Sequence, residues 1–156
     1  MTPQEIFDNL QVKFGDRIID FTENLDPWIR LKPEAIAGVC QYLRNDPELD
    51  FESLMCLSGV DYEDRLTVVY HLGSSEKKHK IVLKVEVGRD DPEVPTVEGV
   101  WRVANWHERE AYDMFGIVFK GHSDLRRILC PDDWEGWPLR KDYKVQEYYR
   151  GIKVEV

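Results

Sequence analysis

The sequence predicts an α+β fold: a central, mostly antiparallel sheet with helices packed on it, followed by an extended C-terminal tail. Three observations carry that prediction. The segments "RLTVVYHL" and "KIVLKVEV" alternate with the two-residue period of a strand, and the polar "GSSEKKH" joins them as a hairpin. Apolar residues recur at helical spacing on both sides of this strand region. The last forty or so residues lose all periodicity, yet remain rich in Trp, Tyr, Leu and Pro.

The elements follow in order. Pro3 suits a first helical turn, Ile6, Leu10 and Phe14 share one face, and Gly15 fits the stop. "RIIDF" and "WIRL" read as short strands separated by the turn-rich "TENLDP". A second helix starts near Pro33, buries Ile36, Val39, Cys40 and Leu43, and ends at "RNDP", where Pro47 blocks continuation. "LMCLSGV" is a strand closed by the "DYED" turn. In the hairpin, Leu66, Val68, Tyr70, Leu72, Ile81, Leu83, Val85 and Val87 form a buried face, whereas Lys84 and Glu86 lie on a wetter one. After the loop "GRDDPEVP" the chain turns helical again, starting at Thr96 or at Asn105. It forms either one helix over about 97–115 or a short helix and then a longer one. The N-x-x-E form of "NWHE" offers Glu108 as a capping partner, and Gly116 stops the helix. This divides the chain into an α+β core domain over 1–116 and an irregular, partner-binding tail over 117–156.

Length and charge limit the functions. A chain of 156 residues, 42% hydrophobic and 33% charged, is long enough to bury a core. A net charge of −9 argues against a nucleic-acid partner, which requires clustered Lys and Arg. Cys40, Cys56 and Cys130 show no C-x-x-C spacing, so they read as reduced thiols rather than ligands of an iron–sulfur cluster or zinc. The N-terminus lacks a basic flank before an apolar core, so no secretory leader is expected. No apolar run reaches the roughly 20 residues of a membrane helix, so any membrane role is peripheral.

Chemistry concentrates in "NWHEREAYDMFGIVFKGHSDLRRIL". On a helical wheel, Val97, Trp101, Ala104, Ala111, Tyr112 and Phe115 lie within about 60° of Glu108, placing a carboxylate in an apolar stripe. Such a group requires a cation or several donors, and Arg126, Arg127 and Arg140 are the available cations. The opposite face carries Val103, Trp106, Glu110, Asp113 and Met114, a second mixed surface that favours a partner protein. Catalytic readings are weaker. Glu108 and Glu110 point nearly opposite ways, and Arg109 stands where it neutralises Asp113. Position 111 is Ala, so "HERE" is not a zinc-binding H-E-x-x-H. The rival from another class is a small soluble enzyme using Glu110, Asp113 and His122. A third reading is a small-ligand module with the tail as a lid.

The composite pattern "EREAYDMFGIVFKGHSDLRRIL" followed by "PDDWEGWPLRKDY" closely resembles the signature of the 30 kDa, or C-type, subunit family of proton-translocating respiratory complex I, called the J-type in cyanobacteria and chloroplasts. The match is dense from Asn105 to Tyr143. The resemblance implies a stand-alone, non-catalytic scaffold subunit of the peripheral arm of an NADH:quinone oxidoreductase, on the cytoplasmic face of the membrane. FMN, iron–sulfur clusters and quinone would be bound by other subunits, leaving this chain with no cofactor or metal of its own. Its neighbours would be complex I subunits D and B, which together form the quinone pocket, with the first of these packed directly against it. The signature positions carried over as interface residues are Glu108, Arg109, Glu110, Asp113, His122, Asp124, Arg126, Arg127, Trp134, Pro138, Arg140 and Lys141. Related modules serve ferredoxin-linked, deazaflavin-linked and hydrogenase-type membrane complexes, so the electron donor stays open.

Overall fold

In a computed structural model, which describes residues 1–154, the first helix α1 spans Pro3–Phe14. Thr2 caps it by accepting the Glu5 N–H at 3.2 Å, while Glu5 returns the bond to the Thr2 N–H at 2.8 Å. Gly15 ends the helix with φ 60°, a conformation that costs a side-chain-bearing residue more. Strands β1 (Ile18–Thr22) and β2 (Trp28–Leu31) follow, and the 3-10 turn Pro33–Ala35 leads into α2 (Ile36–Asn45). Strands β3 (Ser53–Asp61), β4 (Leu66–Ser74) and β5 (His79–Val87) form the meander. The short β6 (Glu93–Pro95), helix α3 (Ala104–Phe115) and β7 (Val118–Lys120) come next, and a small pairing of β8 (Tyr148–Tyr149) with β9 (Ile152–Lys153) closes the described chain.

The main sheet has five strands in the order β1-β2-β5-β4-β3. Three of its pairings are antiparallel, and β2 with β5 is parallel, because α2 carries the chain across before the meander returns beside β2. The register aligns Leu57, Tyr70, Leu83 and Ile29 across four strands. These side chains are buried with Ile6 and Leu10 of α1, Ile36, Val39, Cys40 and Leu43 of α2, and Ala104, Ala111 and Phe115 of α3. Each fully buried Leu or Ile contributes about 1.5–3 kcal/mol, so this layer is the main source of stability. On the other face, Lys84 lies over the Trp28 ring at 4.2 Å and Arg30 pairs with Glu86 at 3.0 Å.

The expected wetter face holds for Lys84 and Glu86 but not across β4. Thr67 and Val69 are buried too, because they are flanked by Val60 and Ser58 of β3 on one side and by Glu86 and Lys84 of β5 on the other. The core also runs past residue 116. Ile117 and Phe119 are buried, and β7 pairs in parallel with β6, so the start of the expected tail completes the globule.

Candidate functional site

The chain approaches α3 through a turn rather than a longer helix. Thr96 Oγ1 accepts the Glu98 N–H at 3.1 Å, and the N–H groups of Val100 and Trp101 bond to the Val97 carbonyl. Trp101 Nε1 donates to the Phe51 carbonyl at 3.1 Å, fastening this turn to the segment before β3. The first N–H groups of α3 find carbonyls in the same turn: Ala104 bonds to Trp101 at 2.9 Å and Asn105 to Arg102 at 3.2 Å. No side-chain cap is therefore required. The expected N-cap residue Asn105 lies inside the helix and donates to Glu98 at 2.6 Å instead.

Glu108 is fully buried in the apolar stripe, as the wheel predicts, but no arginine meets it. Its carboxylate accepts the Val97 N–H at 2.7 Å and the Thr96 hydroxyl. Burial pushes its pKa up to about 7, against the pull of those two donors, and the charge of Glu98 adds to the rise. His122 stands beside it, its side chain enclosed and its Nε2 3.9 Å from Glu108 and 3.6 Å from Glu98. The Asp124 N–H donates to His122 Nδ1 at 3.0 Å, so the ring proton sits on Nε2 and is directed at the Asn105 carbonyl, also at 3.0 Å. His122 thus ties the loop after β7 to the start of α3.

The three arginines expected near Glu108 go elsewhere. Arg126 pairs with Asp124 at 2.9 Å on the surface, and Arg140 donates from Nε to the Phe115 carbonyl at 2.6 Å. Arg127 pairs with the fully buried Asp113 at 2.6 Å and also donates to the carbonyls of Trp134 and Gly136. The other Asp113 oxygen accepts the N–H groups of Ile128, Leu129 and Cys130. Burial works against this carboxylate, but the Cys130 N–H, the Arg127 guanidinium and the neighbouring N–H groups outweigh it and hold its pKa low. Arg109, expected to neutralise Asp113, instead donates to the carbonyls of Arg126 and Arg127 at 3.1 and 2.9 Å. Charge on α3 is thus directed at the backbone of the following loop, a contact that spacing along a helix does not reveal.

The rest of the tail clasps the end of α3. Gly116 has φ 72°, and a Cβ there would meet Trp137 at 2.5 Å, so Trp137 seats directly on this backbone and packs edge-on to Tyr112. The Leu139 N–H donates to the Met114 carbonyl at 3.1 Å, and Pro138 beside it is half-buried. The Lys141 N–H reaches Asp61 at the end of β3 at 2.9 Å, and Arg89 bridges Asp61 and Asp142. Burial raises the Asp61 pKa, but the Lys141 N–H and the Arg89 guanidinium prevail and hold it at about 2. Trp134 Nε1 donates to the Tyr143 hydroxyl at 3.1 Å.

One side of this assembly stays open. Val103, Trp106, His107, Glu110, Ile128 and Leu129 line an apolar groove of about 610 Å³ between α3 and the clasping loop. Trp106 is 70% exposed, Leu129 64% and Val103 50%. Contiguous exposed patches of large apolar groups occur at protein or membrane contact surfaces and at ligand-binding grooves. Glu110, Asp113 and His122 do not converge: Glu110 lies on the groove, Asp113 beneath the loop, and His122 against Asn105. Among the described residues no group of three or more His, Cys, Asp or Glu is placed to hold a metal ion, and no helix is long and apolar enough to cross a membrane. Sequence reasoning named Thr96 only as a helix start and missed Glu98, Asp61 and Arg89. Only the T-x-E pattern at Thr96 offered a local signal, since the Asp61 contacts are long-range.

The class defined here is a small α+β module whose charged side chains lock a tail onto one helix and leave an apolar groove beside it. Residues 29–149 match the family model of the respiratory-chain NADH dehydrogenase 30 kDa subunit. The chain is 52% identical over 149 residues to the C-type NADH-quinone oxidoreductase subunit of Chloroherpeton thalassium, covering 93% of this chain and 62% of that relative. It is 50% identical over 153 residues to the C-type subunit of Chlorobium phaeobacteroides, covering 95% and 92% respectively. Among solved structures, the trypsin-resistant fragment (1–134) of Nqo5 superposes with a TM-score of 0.61 at 29% identity, over 78% of this chain and 98% of that one. A chain of the membrane-bound sulfane sulfur reductase, an archaeal respiratory membrane complex, shares the fold at a TM-score of 0.72 and 22% identity, over 90% and 85%. The chain belongs to the 30 kDa subunit family of respiratory-chain NADH dehydrogenase, the C-type subunits of complex I.

Proposed function

We propose that this chain is a non-catalytic scaffold subunit in the peripheral arm of a proton-translocating NADH:quinone oxidoreductase. Its partners are subunits D and B of that complex. The first, the quinone-site subunit, is held against the groove beside α3 and the outer side of the tail, with the second behind it. FMN, iron–sulfur clusters and quinone belong to the partner subunits in this reading, and the chain lies on the cytoplasmic face of the membrane. The observation that carries it is the open groove of Val103, Trp106 and Leu129, which stands on the signature helix and loop of a family defined by membership in a complex. The likeness to the sulfane sulfur reductase component is one of fold and leaves NADH as the favoured donor.

Affinity capture of the tagged chain from native membranes tests the reading, with native gels of the same fraction. Homologues of subunits B and D are expected to come with the wild-type chain. Trp106→Glu, Leu129→Glu, Glu108→Ala or truncation after Leu129 is expected to deplete the assembled complex before any change in turnover per assembled complex. A fully assembled but inactive complex in these variants overturns the scaffold role, as does capture without either neighbour.

A further inference from the structure

Four buried or half-buried arginines organise the tail region, and one of them is unfinished. Arg127 uses both terminal nitrogens on Asp113, Trp134 and Gly136; Arg89 bridges Asp61 and Asp142; Arg109 is bound to two carbonyls. Among the described residues Arg140 donates only from Nε, to the Phe115 carbonyl. No carboxylate among the described residues is within ion-pair distance of it. Fixing Nε on a helix-end carbonyl orients the planar guanidinium and leaves the two-nitrogen edge free, the edge that matches a carboxylate in bidentate fashion.

Arg140 lines a cleft of about 340 Å³ whose other walls include Trp137, Tyr143, Lys144 and Gln146, with the acids Glu135 and Asp142 at its rim. The Arg140 charge is only partly compensated there. Burial and the like charge of Arg89 both disfavour the charged Arg140; Asp142, Asp61 and Asp90 favour it from beyond ion-pair distance, and the first two already serve Arg89. In the same wall the Gln146 amide nitrogen is buried without an acceptor among the described residues.

We propose that the Arg140 cleft is a socket for one carboxylate side chain, an aspartate or glutamate carried by the neighbouring subunit on which the tail lies. This rests on the docking reading above and adds the chemistry of one contact to it. A free small carboxylate is the weaker occupant. Association alone costs the lost translational and rotational freedom of the ligand, which one guanidinium pair with one amide does not offset. A carboxylate delivered by a surface already docked along the groove avoids the cost. Shielding by Trp137 and Tyr143 then strengthens the pair relative to one in open water.

The test uses the complex isolated from native membranes with the Arg140→Lys chain and a zero-length carbodiimide, which joins an amine to a contacting carboxylate. Mass spectrometry is expected to find a new link from position 140 to an aspartate or glutamate of a neighbouring subunit, absent from the wild type. An assembled complex with no such link, or a link only to Asp61 or Asp142 of the same chain, overturns the inference. A second measurement needs no variant. Phenylglyoxal should modify Arg140 in the isolated full-length chain and react about tenfold more slowly in the complex, the ratio a charge-assisted pair confers. Equal rates overturn the inference. Failure of the wild-type chain to bring either quinone-pocket neighbour with it is a different result and removes the docking reading instead.

Discussion

Asp113 and Arg127, fourteen residues apart, form an ion pair at 2.6 Å that organises the whole loop between them and α3. The aspartate is fully enclosed, and its second oxygen gathers three consecutive N–H groups. Removing one partner leaves the other buried and uncompensated, which costs about 3–5 kcal/mol. Arg127→Ala is therefore expected to lower unfolding free energy by that order in urea titrations. Arg127→Lys should recover little, because a point charge cannot also reach Trp134 and Gly136.

Glu108 gives a pH dependence of defined sign. Its folded pKa is raised to about 7, above its ordinary value of 4.5, so in that interval the folded state binds more protons than the unfolded one. Stability from this group is full below about 4.5 and declines as pH rises to about 7, with the whole penalty present above it. The groups facing it are Glu98, His122, Cys40 and Tyr70. Glu108→Gln keeps the shape without the charge, so the stability difference, variant minus wild type, should climb across this window in denaturation curves. A flat difference would show that burial does not tax the carboxylate.

Gly116 carries two demands at once, a left-handed backbone and room for Trp137. Gly116→Ala meets a strain of about 1–2 kcal/mol from the backbone alone, and the ring must shift as well. Thermal melts should show a loss exceeding that strain. Combined with Trp137→Leu, the substitution should cost less than the sum of the two single changes, since part of the penalty is their collision.

Asp61 fixes the tail to the sheet. Its carboxylate is held at about 2, so its contribution is full above about 4 and is lost as pH falls through 2. Asp61→Ala leaves the Lys141 N–H and Arg89 without their shared acceptor. Trypsin is expected to cut after Lys141 and Lys144 sooner than in the wild type, with the strand core still intact. Unchanged cleavage order would mean that Trp137 and Arg127 hold the tail unaided.

Much of this architecture is written in local patterns. Helices α1 and α2 and the β3–β5 meander follow from periodicity and from Gly15, Pro33 and Pro47, each of which acts on its immediate neighbours. The parallel pairing of β2 with β5 and of β6 with β7 is not legible, because it joins strands that no hairpin connects. The site divides the same way. A wheel locates Glu108 in its stripe, but its partners are a backbone N–H and a threonine hydroxyl, groups that no charge pattern announces. The residues Asp113 and Arg127 stand out in the sequence, whereas their pairing depends on how the loop folds back. Arg109 misled because its targets are carbonyls, which every residue carries.

The bond from Asp61 to Lys141 spans eighty residues. During synthesis the meander holds its short-range partners long before that amide leaves the ribosome, and closing so long a loop is slow beside closing a hairpin. A newborn molecule therefore passes through an interval with its sheet finished and its arm unfastened. Whatever must slip beneath the arm has its easiest entry then, before the latch closes.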